Sequence, residues 1–78
     1  MKKNRLKIDY YGKAFEYYEL HKNELYLLYP DKWLILSYIL KFELTCEIKG
    51  PFNTEEEAEN KATNLYRIGT YIIVKTGN

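Results

Sequence analysis

His21 is the one histidine in the chain, and Glu19, Lys22 and Glu24 surround it. Set in a cleft with Arg67, an imidazole base, a carboxyl acid and a guanidinium cation would suit a small toxin-like ribonuclease. The flanking sequence argues for a plainer role. His21-Lys22-Asn23-Glu24 is polar and contains an asparagine that tolerates a left-handed backbone, so a solvated turn is expected here. Metal chemistry has less to build on, with a single histidine, the lone Cys46 and no ligand pair at useful spacing, so no metal and no cofactor are expected. The acidic run Glu55-Glu56-Glu57 with Glu59 lacks the Asp/Asn/Gly loop of a calcium site and suits the start of a helix instead.

Two binding surfaces are readable. Lys2, Lys3, Arg5, Lys7 and Lys13 gather near the N-terminus, and Tyr11, Tyr17 and Tyr18 lie close by. On strands, Lys7 and Lys13 would hold phosphates while Tyr11 and Tyr17 stack on bases, the pattern of a single-stranded nucleic-acid binder. The second surface is the odd-numbered apolar stripe Trp33, Ile35 and Ile39 together with Tyr29. Left uncovered on a sheet, it would be an interface anchored by tryptophan and tyrosine; covered, it would be a small second core.

Composition narrows the classes further. With Lys+Arg 12 against Asp+Glu 11, the chain is neither a strongly basic nucleic-acid binder nor an acidic mimic of DNA. At 78 residues, 46% hydrophobic and 29% charged, residues 1–78 read as one small folded domain with one core. An unpaired cysteine argues for a reducing, cytoplasmic setting. Residues 6–9 interrupt any apolar segment of a signal peptide. The most apolar run, at about eight residues, is far short of the roughly 20 of a membrane span. Many lysines, tyrosines, isoleucines and asparagines with few alanines reflect AT-rich coding DNA, as in a low-GC bacterium or its phages and plasmids.

The elements that must position these residues follow from periodicity. Residues 5–10 alternate as a half-buried strand, Tyr11-Gly12-Lys13 can turn the chain, and residues 13–20 and 24–29 read as two further strands. A helix through Ala14, Tyr17, Tyr18, His21 and Leu25 competes with that hairpin. Every even position from Leu34 to Ile48 is apolar, or Tyr38 and Cys46, which only a strand places on one face. That length demands a bend, or a split near residues 37–41, and a short helix at 31–38 is the rival. Thr54 and Glu57 form a capping box, so a helix starts there with Ala58, Ala62, Leu65 and Tyr66 on one face. Gly69 stops it, and residues 70–75 form a last strand. The predicted order is β-β-β-β-α-β: an α+β sandwich of two layers, a mostly antiparallel sheet of four to five strands under one helix.

Residues 47–58, Glu-Ile-Lys-Gly-Pro-Phe-Asn-Thr-Glu-Glu-Glu-Ala, with the helix and strand that follow, resemble one half of a SPOR domain, a peptidoglycan-binding module of two βαβ-like halves. The resemblance covers about a third of the chain, the second half-motif is missing, and it carries over no site.

The function expected from these readings is a non-enzymatic protein-binding module of phage or mobile-element origin. It would inhibit a host nuclease or defence complex by steric occlusion, through Trp33, Ile35, Ile39 and Tyr29, with self-association as a homodimer the other use of the same stripe. Single-stranded nucleic-acid binding and a toxin-like ribonuclease are the alternatives.

Overall fold

The computed structural model describes residues 9–40 and 44–77, with the side chains of Ile39, Leu40 and Leu44 outside that description. The element order is α1 (Tyr10–Leu28), β1 (Trp33–Leu40), β2 (Leu44–Phe52), α2 (Glu55–Leu65) and β3 (Tyr71–Lys75). Among the described residues the sheet has three strands in the order β2-β1-β3, and both pairings are antiparallel. The α+β class is as the sequence predicts. Among the described residues, the predicted four to five strands, single helix and two layers are corrected to three strands, two helices and three layers.

The correction comes from α1. Asp9 caps it, its Oδ1 accepting the Gly12 amide at 2.9 Å, so the segment expected to turn the chain is the helix's first turn. With no proline before Pro30, the helix runs through the predicted strand 13–20 and through 24–28 of the next, with Tyr29 as its C-cap. Its buried residues are Ala14 and Leu25, flanked by Tyr17 and Tyr18, which is the helical spacing that competed with the hairpin. Of the first predicted strand, residues 5–8 lie outside the described residues, Asp9 is the helix cap and Tyr10 opens α1.

The run from Leu34 to Ile48 does split, into β1 and β2, and the rival helix at 31–38 does not form. Even-numbered Leu34, Leu36, Tyr38, Cys46 and Ile48 join Ile72 and Val74 beneath α1. Odd-numbered Trp33 and Ile35 join Phe52, Tyr71 and Ile73 beneath Ala58, Ala62 and Tyr66. Each helix therefore covers one face, and β1, with Leu34, Ile35, Leu36 and Ser37 fully buried, is the centre of the molecule. Trp33 pairs with Phe52 but Ile35 with Lys49, so β2 carries one extra residue at Gly50-Pro51. Gly50 has φ 134°, and a Cβ there would meet the Trp33 carbonyl and the Leu34 side chain at 3.0 Å. Only glycine takes that backbone without strain.

The capping box starts α2 where the sequence places it. Thr54 Oγ1 accepts the Glu57 amide at 3.1 Å, while the Glu57 carboxylate reaches the Asn53 amide at 3.0 Å, one residue upstream of the expected Thr54 amide. Alanines at 58 and 62 let the helix backbone lie close to Ile35. The last strand, β3, agrees with the predicted 70–75 to within one residue. Among the described residues, no helix is long and apolar enough to cross a membrane.

Candidate functional site

The apolar stripe proposed from the sequence is mostly interior. Ile35 is 0% exposed under α2 and cannot meet a partner in this fold, so it is removed from the predicted docking surface. Trp33 is half-buried in the same cluster, Tyr29 is half-buried in the layer under α1, and the Ile39 side chain lies outside the described residues. The second-core reading describes Trp33 and Ile35.

The predicted nucleic-acid set is not a strand-borne stacking surface. Lys7 lies outside the described residues. Lys13, Tyr11 and Tyr17 sit on α1, where Lys13 borders a shallow depression with Asp9 and Glu16, two carboxylates that offset its charge. Tyr17 turns inward, its ring 4.2 Å from that of His21 and 6.3 Å from that of Tyr38. Burial against the sheet raises its pKa. Tyr11 meets Phe15 edge-on at 5.9 Å.

The predicted ribonuclease set is dispersed as well. His21 is a helix residue, not a turn residue, and its Nδ1 lies 3.0 Å from Glu24 Oε1, while Lys22 pairs with Glu19 at 3.3 Å. Both are local pairs one turn apart on the surface of α1. Arg67 lines a different notch, of about 410 Å³, with Tyr10, Ser37, Tyr38, Leu65, Tyr66 and Thr70, and His21 is not among its walls. There β1 runs past the start of β3, since Ser37 pairs with Tyr71 and β3 goes no further. The Tyr66 hydroxyl donates to Glu47 Oε1 at 2.9 Å, and burial together with that bond pushes its pKa up to about 12.

Three surface features remain. The outward side of α1 carries Leu20 and Leu27, exposed by 77% and 84%, while Leu28, exposed by 67% in the last turn, lies about a quarter turn away. Leu20 and Leu27 stand two helical turns apart, on one face. Sequence reasoning missed them because it assigned the segment to strands. On the helical alternative, the signal is there: Leu20 and Leu27 fall off the Ala14/Tyr18/Leu25 stripe that the sheet buries. The second feature is a cleft of about 350 Å³ along β3, walled by Tyr11 and Phe15 of α1 and by Glu55 and Glu59 of α2. The third is Cys46, half-buried, whose thiol is pushed up from 9.0 to about 11, chiefly by burial. At pH 8 that leaves about 100-fold less thiolate than an ordinary cysteine has. Because a thiolate of higher pKa is also the better nucleophile, its reaction with a disulfide reagent is expected to be slowed by roughly tenfold in the native protein and restored in denaturant. Equal rates in both states would show that Cys46 is not held in the α1 layer.

No protein-family model, no curated protein and no solved structure matches this chain significantly.

Proposed function

We propose that this protein is a non-enzymatic protein-binding module that docks through the outward face of α1. The observation that supports this reading is the exposure of Leu20 and Leu27 on one face of a helix whose opposite face packs Ala14, Tyr18 and Leu25 against the sheet. Large aliphatic side chains left in water on a folded helix gain free energy when a partner covers them, roughly 25 cal/mol for each Å² of apolar surface removed from solvent.

The mode of action is occlusion. A small rigid body seated on a partner blocks whatever else that surface would bind, and the size and AT-rich coding bias of the chain suit a phage or mobile-element inhibitor of a host nuclease or defence complex.

The test compares the wild-type protein with the Leu20→Glu/Leu27→Glu variant. Each is used to capture partners from bacterial lysate, and the captured protein is then purified and titrated against both. A defined partner bound by the wild type and weakened about 100-fold in the variant, at unchanged helix content, is the expected result. Because the contact is apolar, binding should change little between low and high salt. Undiminished binding by the variant would rule out the leucine face.

A further inference from the structure

We propose that the outer edge of β3 binds an extended peptide in which apolar and basic residues alternate, adding it to the sheet as a further strand. This surface is separate from the leucine face: Phe15, in the cleft wall, lies roughly 120–140° around α1 from Leu20 and Leu27.

The geometry begins with hydrogen-bond parity. The Thr76 amide donates to the Lys32 carbonyl at 2.8 Å, which makes Lys32 and Thr76 a hydrogen-bonded pair of the β1–β3 ladder. Register then makes Leu34 with Val74 and Leu36 with Ile72 pairs of the same kind. The main-chain groups of Ile72 and Val74 are thus used by β1, whereas those of Tyr71, Ile73 and Lys75 point to the outer edge. Among the described residues no strand lies on that side of β3. A row of outward N–H and C=O groups is a template for a partner strand unless something blunts it. The only charged side chain on β3 is Lys75, at its far end, where it bonds Asp31 at 2.7 Å.

The walls define the occupant. Along the α1 face of the sheet stand Tyr11 and Phe15, both substantially exposed; along the α2 face stand the carboxylates Glu55 and Glu59. A strand laid on β3 sends successive side chains to opposite faces. Residues pointing toward α1 would meet two aromatic rings and the flanks of Ile72 and Val74. Those pointing toward α2 would meet two carboxylates. Apolar side chains fit the first wall and lysine or arginine the second, so the matching peptide alternates between them, and one alternating valine with glutamate is rejected at Glu55 and Glu59.

The experiment uses the full chain, isotopically labelled, with two synthetic peptides of equal length, one alternating valine and lysine, the other valine and glutamate. The lysine peptide is expected to shift β3 amide signals and to protect the Tyr71 and Ile73 amides from hydrogen exchange, while Ile72 and Val74 are protected with or without it. Its affinity should fall with added salt and drop about tenfold in Glu59→Lys, an exposed position that leaves the fold intact. Both Leu20 and Leu27 can be glutamate in this assay without effect, so its failure and that of the leucine face are read separately. Equal binding of the two peptides, or shifts confined to other elements, would overturn the proposal. So would Tyr71 and Ile73 amides already protected in the free protein: a dimer by light scattering would then assign the edge to a second copy, a monomer to another part of the same chain.

Discussion

Replacing Ile35 with alanine is expected to destabilise the protein by about 3 kcal/mol, whereas Leu27→Ala, on the surface of α1, should move stability by no more than about 0.5 kcal/mol. Both changes remove a branched aliphatic side chain, but Ile35 is fully buried against Ala58 and Ala62 and Leu27 is almost wholly in water. Deleting the buried one forfeits the transfer free energy of its methyl groups and leaves a cavity that a helix already in contact through alanines cannot collapse to fill. A domain of this size has a total stability of roughly 4–12 kcal/mol, so the loss is a large share of it, and Tm should fall by more than about 10 °C. Thermal and urea denaturation followed by circular dichroism measure both variants. If Ile35→Ala melts with the wild type, the odd-numbered stripe is not a core, and its use as a docking surface returns.

Thr76→Val should cost about 2–3 kcal/mol although it preserves shape, while Thr76→Ser should stay much closer to the wild type. Thr76 is 1% exposed, and its hydroxyl is the junction of three chain segments. Its Oγ1 accepts the Lys32 amide at 2.8 Å and shares its one proton between the carbonyls of Tyr29 and Lys32. These groups lie where the chain leaves α1 and enters β1, at Tyr29 to Lys32, a stretch that includes Pro30 and Asp31 with φ 56°. Valine supplies the same bulk without donor or acceptor, leaving the part-buried Lys32 amide and Tyr29 carbonyl without their partner, and each such group costs on the order of 1–3 kcal/mol. Serine keeps the hydroxyl and loses one methyl group. Stability of the three proteins, with hydrogen exchange of the Lys32 amide, separates the two effects: equal losses in Val and Ser variants would mean that packing, not the hydroxyl, holds the junction.

The two surfaces proposed to bind partners differ in how far they could be read in advance. Glu55 and Glu59 are placed by the capping box, so their position at the start of a helix is legible, and their position beside β3 is not. The sequence puts Tyr11 at a turn beside the strand expected over residues 13–20, which holds Phe15; as helix residues one turn apart they form the aromatic wall instead. Leu20 and Leu27 become one surface only once α1 is a helix, because helical spacing brings residues seven apart onto one face.

By itself the sequence determined those elements whose signal is local. Thr54 and Glu57 start α2 through hydrogen bonds within four residues, and strict alternation from Leu34 to Ile48 favours extended backbone over the rival helix at 31–38. Tertiary structure decided what was locally balanced. Residues 13–28 satisfy a strand period and a helical one about equally well, and the choice depends on a sheet face of Leu34, Leu36, Tyr38 and Ile72 elsewhere in the chain, which a helix bearing Ala14, Tyr17, Tyr18 and Leu25 can cover. Which side of the sheet each helix takes, and hence whether Ile35 is core or surface, is a property of that packing, since alternation gives β1 two apolar faces without saying what lies over either.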